Sequence, residues 1–315
     1  MPSSSKRLRA RASSRAESEP SPIRPAIDAA TQELHDREVV ERTLRMVRSE
    51  YTVMPRFGFH QPIDYDKDSR ALAFDLPVWV DGEPLPLPPV AERMGYSADD
   101  AEYLRWGASD KALVCAQIEE YLGLQRDLSV LDFGCSSGRV LRHFHQESVE
   151  LGWKLYGVDI QARTIQWIRE HFPSHFVTYT GTTLPILPFP DASLDVVYGF
   201  SIFTHIKYNW DMWLMELRRV LKPGGLLIQT FHSEHAWAFY YDHRDEEWVK
   251  ASHSQLMLDS PEMTDDYFYY GDIGVSQVFW KAEVAREYWS RYFEDVRTLP
   301  PPVNSFQDWL VCRKA

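Results

Sequence analysis

From Leu128 onward the chain alternates short apolar runs with amphipathic segments, and that rhythm limits the possible folds more than any other feature of the sequence. A parallel strand covered on both faces reads as a nearly continuous apolar run. Reaching a parallel neighbour takes a helical crossover, so this alternation specifies a parallel α/β sheet. The spacing predicts strands at 129–133 (SVLDF), 154–158 (KLYGV), 175–179 (HFVTY), 194–200 (LDVVYGF) and 226–231 (LLIQTF). Helices are expected near 138–146, 161–171 and 209–221, with LKPGG as the turn into the fifth strand. A helix near 281–291 and strands at 293–299 and 308–314 close the chain.

Before Leu128 the pattern differs. Residues 31–50 carry apolar positions at helical spacing, and 51–98 are rich in proline and aromatics, as in an extended covering segment. A second helix is expected from about Ala98 to Leu122, with Ser97 as N-cap and Gly123 just past its end. Residues 232–275 interrupt the later rhythm with an aromatic cluster that includes Trp237, Phe239, Tyr240, Tyr267 and Tyr270. The expected organisation is therefore a disordered basic tail (1–27), a helical and extended cover (28–127), and one large domain (128–315) with an aromatic-rich, lid-like insertion at about 232–275. Trp106, Trp210 and Trp213 are expected to pack helices.

Charge narrows the partners. The formal net charge is -12, and residues 1–25 hold six Lys/Arg against two acids, leaving -16 on the remainder. Such a body repels phosphate backbones, so nucleic acid is not expected as a partner. No apolar run reaches the roughly 18 residues of a membrane span. The three cysteines, Cys115, Cys135 and Cys312, have neither zinc nor disulfide spacing and suit a reducing cytoplasm. The Arg- and Ser-rich first 25 residues also fit an organelle transit peptide.

Within VLDFGCSSGRVLRHF (130–144) an apolar strand ends in Asp132, and Gly134 and Gly138 follow in a loop that opens a helix. Glycine lets the backbone turn and approach a ligand, and the helix start offers free N–H groups. The loop does not fit GxGxxG, the dinucleotide fingerprint. Asp159 closes the next strand, where a carboxylate at the ligand-binding edge of an open sheet can accept ribose hydroxyls.

These segments resemble the class I S-adenosylmethionine-dependent methyltransferases. VLDFGCSSGRVL is similar to that family's glycine-rich motif, YGVDI to its second, LPFPDASLDVVYGFSIFTHI (187–206) to its stretch through the fourth strand, and ELRRVLKPGGLLIQT (216–230) to a later signature. SIFTHI and the terminal QDWLVCRK further resemble bacterial methyltransferases of sugars and small natural products. The resemblance implies a Rossmann-like α/β sheet, mostly parallel, with a C-terminal antiparallel hairpin and helices on both faces. It implies S-adenosylmethionine as cofactor, with Asp132, Gly134, Cys135 and Gly138 around its methionine end. Asp159 would bind the ribose and Ile160 would pack on adenine. Thr182, Thr183 and Leu184 would meet the adenine, and Phe200 and Ser201 would line the methyl path. Ser136 departs from the family's glycine and is tolerable there only if its dihedrals are ordinary.

Methyl transfer to an alcohol or phenol gains from a general base, and His205 and His232, just past the fourth and fifth strands, are the candidates. His235, Asp242, His243, Asp245 and Glu246 match no metal-ligand spacing, so no metal is expected. The expected acceptor is a small molecule methylated on oxygen, either a natural product or a sugar. The alternatives are a non-catalytic cofactor-binding scaffold, a protein or nucleic-acid methyltransferase, and a dehydrogenase.

Overall fold

The computed structural model describes residues 77–94, 96–123, 125–252, 260–271, 276–301 and 305–315. They all lie in the compact unit Thr43–Ala315. The basic tail, the expected helix at 31–50 and most of the extended segment lie outside the described residues.

The described elements begin with a short antiparallel pair, β1 (Trp79–Val80) and β2 (Glu83–Pro84), a 3-10 turn at Val90–Glu92, and helix α1 (Asp100–Leu122). Strand β3 (Ser129–Phe133), a 3-10 turn at Leu141–Phe144, helix α2 (His145–Leu151), β4 (Lys154–Asp159), α3 (Ala162–His171) and β5 (Phe176–Thr180) follow. Next come β6 (Leu194–Gly199), α4 (Trp210–Val220) and β7 (Leu221–Phe231). The insertion contributes α5 (Glu234–Asp242), α6 (Glu247–Ser252) and β8 (Tyr267–Tyr270), whose pairing partner β9 (Gln277–Trp280) lies just past the expected bounds, and α7 (Ala282–Trp289), β10 (Glu294–Leu299) and β11 (Asp308–Arg313) complete the order.

Seven strands form the central sheet in the order β10-β11-β7-β6-β3-β4-β5. β7, β6, β3, β4 and β5 run parallel, whereas β11 is antiparallel to both β7 and β10. Side chains alternate across this sheet. Val130, Leu155, Val196 and Ile228 face α1, the 3-10 turn at Leu141–Phe144 and α3 with Ile118, Phe144, Ile165 and Ile168. Leu131, Val197, Leu227 and Leu310 face α4 and α7 with Trp213, Leu214, Leu217, Ala285 and Trp289. Helices thus cover both faces of a mostly parallel sheet with an antiparallel C-terminal pair, the Rossmann-like architecture of class I methyltransferases.

Three local expectations are corrected. The N-cap of α1 is Asp99, whose carboxylate accepts the Glu102 N–H at 2.8 Å, while Ser97 Oγ accepts the Asp99 N–H one step earlier. The helix expected from Gly138 starts later because Gly138 has φ +79, outside the helical region, so 3-10 turns intervene before His145. LKPGG is not simply a turn: β7 starts at Leu221, with a register irregularity against β6 between Leu194 and Val196.

The β8–β9 pair and the turn beside it hold down the segments after β6 and β7. Val278 N–H donates to Thr204 O at 2.8 Å, Trp280 N–H donates to His232 O at 2.9 Å, and Lys207 Nζ donates to Gly271 O at 2.6 Å. Trp210 packs on Trp280 and Tyr288 at 4.8 and 5.5 Å between ring centroids, and Trp213 packs on Phe133 at 5.0 Å.

Candidate active site

The loop after β3 folds across the end of β4. Gly134 N–H and Cys135 N–H both donate to Val158 O, at 2.8 and 3.1 Å. Gly134 has φ +86, and a Cβ there would lie 2.0 Å from Ile202 Cδ1, so position 134 demands glycine on two counts. Ser136 N–H donates to Asp159 Oδ2 and Gln161 N–H to Oδ1, each at 2.8 Å. Each Asp159 oxygen thus holds one amide and keeps lone-pair capacity for one hydroxyl of a vicinal diol.

Burial dominates the electrostatics. It pushes the Asp132 carboxyl up to about 7, with Asp159 and Asp110 adding to the rise while the Tyr198 hydroxyl and Arg139 oppose it. Burial likewise raises Asp159, and the Gln161 and Ser136 amides pull it back. Arg139, itself buried, pairs with Asp110 at 2.7 Å and lies 4.0 Å over the Tyr96 ring.

Ser136 does not have ordinary dihedrals. Its φ is +48, in the left-handed region, and its Oγ is buried with no hydrogen-bond partner among the described residues. The Cys135 thiol is also buried and lies 2.8 Å from where a Cβ on Gly157 would sit, so it packs beneath the loop rather than toward the open edge. Ile160 is half-buried beside Asp159. After β5, Thr182 Oγ1 accepts the Leu184 N–H at 3.1 Å, and Leu184 is exposed.

A second group of polar side chains gathers beyond β6 and β7. Ser201, at φ +58, donates its N–H to Thr230 Oγ1 at 2.8 Å, and Thr230 Oγ1 donates to Gln307 Oε1 at 2.6 Å. Gln307 Nε2 donates to Ser201 Oγ at 2.8 Å and lies 3.4 Å from His232 Nε2. Phe200 packs edge-on against Trp309 at 5.2 Å. His232 is buried among Tyr240, Phe279 and Phe306, with Nε2 3.5 Å from the Tyr240 hydroxyl. His205 is half-buried; its Nδ1 sits 2.7 Å from Ser276 O, which puts the ring proton on Nδ1 and the lone pair on Nε2. Burial lowers its basicity, so the ring is neutral near pH 7.

The structure therefore brings Asp132, Gly134, Gly138 and Asp159 together at one carboxyl edge, and Ser201 and His232 together at its neighbour. No motif in the sequence marks Gln307, Thr230 or Arg139 for this site. Among the described residues, no three His, Cys, Asp or Glu side chains gather as a metal ion would require.

A parallel sheet with its crevice at β3 and β4, a glycine loop and a strand-end carboxylate define a Rossmann-like small-molecule cofactor fold. Residues 131–229, about a third of the chain, match the family described as a methyltransferase domain. Among curated relatives, a sterol 4-C-methyltransferase of Caenorhabditis elegans is 32% identical over 122 residues, 38% of this chain and 35% of its own length. A probable S-adenosylmethionine-dependent methyltransferase of Mycolicibacterium smegmatis is 32% identical over 101 residues, 31% of this chain and 36% of its own length. The match thus spans about a third of those relatives. A solved S-adenosylmethionine-dependent methyltransferase of Aquifex aeolicus has a TM-score of 0.46 at 15% identity, covering 73% of this chain and 100% of that one.

Proposed function

We propose that the protein transfers a methyl group from S-adenosylmethionine to an oxygen atom of a small-molecule acceptor, such as a natural product or a sugar. The observation that carries this reading is the Asp159 carboxylate, held by two backbone amides at 2.8 Å beside the glycine loop and keeping one acceptor site per oxygen. The residues fit the cofactor. Asp159 suits the ribose diol, the unpartnered Ser136 hydroxyl supplies a further polar contact, and Ile160, Thr182, Thr183 and Leu184 offer an adenine wall. Asp132, Gly134 and Gly138 border its methionine end, with Cys135 offering only its backbone there because its thiol packs beneath the loop, and Phe200 and Ser201 lie on the methyl path. When bound, the cofactor supplies an electrophilic methyl group on a sulfonium.

What the chain must add is alignment, exclusion of water and removal of one proton. A neutral His205 with its lone pair on Nε2 suits proton removal from a hydroxyl, and Ser276 O steadies Nδ1–H as charge develops. His232 is the second candidate, with Gln307 Nε2 and the Tyr240 hydroxyl 3.4 and 3.5 Å from its Nε2. The aromatic insertion serves as cover for the acceptor, and the three unpaired thiols agree with a cytoplasmic setting. A carbon acceptor is the second reading, favoured by the sterol 4-C-methyltransferase likeness. Incubation with methyl-labelled S-adenosylmethionine and a panel of phenols, sugars and sterols tests the proposal. Label in an ether product supports it; label only on carbon, or no transfer at all, contradicts it.

A further inference from the structure

Ser136 stands where the family's loop has glycine, and its φ of +48 is a conformation that serine adopts only at a cost. The neighbouring residue shows what holds it there. Ser137 Oγ donates to the Glu92 carbonyl oxygen at 2.8 Å, and the Tyr103 hydroxyl lies 3.2 Å from the same Oγ, both in buried surroundings. Glu92 also ties to α3: its buried carboxylate meets Arg163 Nε at 2.6 Å, and Arg163 lies in the first turn of that helix, four positions past Asp159. Arg93 sets the shape of this clamp. It donates to Pro88 O and Ser97 O at 3.1 Å each, and its guanidinium lies 4.8 Å over the Tyr103 ring.

Glu92, Arg93 and Tyr103 all precede the family-matched residues 131–229. We propose that Glu92 and Tyr103 are positioning residues for the cofactor. Through Ser137 they hold Ser136 in the left-handed conformation that presents its N–H to Asp159, a task that a glycine at 136 would make unnecessary. This inference rests on the reading of the Asp159 site as the S-adenosylmethionine site.

The test is a double-mutant cycle on the full chain, with S-adenosylhomocysteine affinity measured by calorimetry. Losing two buried hydrogen bonds should make Ser137→Ala bind about 10-fold more weakly. In the Ser136→Gly background the same substitution should cost less than about 3-fold, because glycine needs no holding. Equal losses in the two backgrounds would overturn the inference while leaving the cofactor reading intact. No binding by the unmodified chain would overturn both. If Ser137→Ala does not fold, Tyr103→Phe in the same two backgrounds decides the matter by the same criterion. A purely structural role would lower the melting temperature in both backgrounds without a background-dependent change in affinity.

Discussion

The two halves of the sheet's carboxyl edge are built by different means. At β3 and β4 the site is made largely of backbone: two amides on Val158 O, two amides on Asp159, and a glycine turn, all within residues 132–161. At β6 and β7 it is made of side chains from remote parts of the chain. Ser201 meets Gln307 across 106 positions, Thr230 meets Gln307 across 77, and His205 meets Ser276 across 71. A backbone-built half tolerates little change, whereas a half assembled from distant side chains can be re-specified one residue at a time. On the proposed reading the first holds the cofactor and the second the acceptor.

If the halves divide the work this way, substitutions should separate transfer from cofactor affinity. The largest effect is expected for His205→Ala, which should slow transfer to an oxygen acceptor by about 10²–10⁴-fold. S-adenosylhomocysteine affinity should stay unchanged, so single-turnover rates and calorimetry on the same variant provide the check. Parallel loss of both would place His205 in the cofactor half and break the comparison.

Asp159→Ala should do the opposite, weakening cofactor binding by roughly 1–3 kcal/mol through loss of two accepted hydrogen bonds. Titration with S-adenosylhomocysteine measures this, and unchanged affinity would remove Asp159 from the ribose role. Gly134→Ala should destabilise the fold by about 1–3 kcal/mol, since a Cβ would meet Ile202 and the left-handed φ disfavours alanine. Urea denaturation reports it; a loss at the low end of that range would mean that Ile202 swings away and only the backbone cost remains, and no loss would contradict both constraints.

The smallest effect concerns pH. Asp132 is held up to about 7 in the native protein, above its unfolded value of about 3.9. Its contribution to stability is therefore complete below the unfolded value and is lost as pH rises through about 7. A cationic cofactor favours the carboxylate, so binding should release a proton, and affinity should rise with pH across that window. S-adenosylhomocysteine, which lacks the sulfonium charge, should show a weaker trend. Titrations of both ligands between about pH 6 and 8 compare the slopes, and equal slopes would separate Asp132 from the sulfonium end.

The same contrast explains what could be read in the sequence. The strands at 129–133, 154–158 and 194–200 coincide with β3, β4 and β6 to within a residue because doubly buried strands leave unbroken apolar runs. The glycine loop and Asp159 were legible because their partners lie in a short window. Gln307 and Thr230 were not, since a lone polar residue beside a strand end carries no mark of what it faces 77 or 106 positions away. Ser136 was legible as a departure, but its left-handed φ and the Ser137 anchor that accommodates it depend on a turn at Glu92 that periodicity does not reveal. The N-cap of α1 slipped from Ser97 to Asp99 because both side chains can accept an amide there, and only the backbone path decides between them.

The most direct test of the central claim is calorimetric titration of the whole chain with S-adenosylhomocysteine, with NAD as control. Micromolar binding of S-adenosylhomocysteine and none of NAD is the predicted result. Binding of NAD, or of neither ligand, would contradict the assignment of the Gly134–Asp159 edge as a methyltransferase cofactor site.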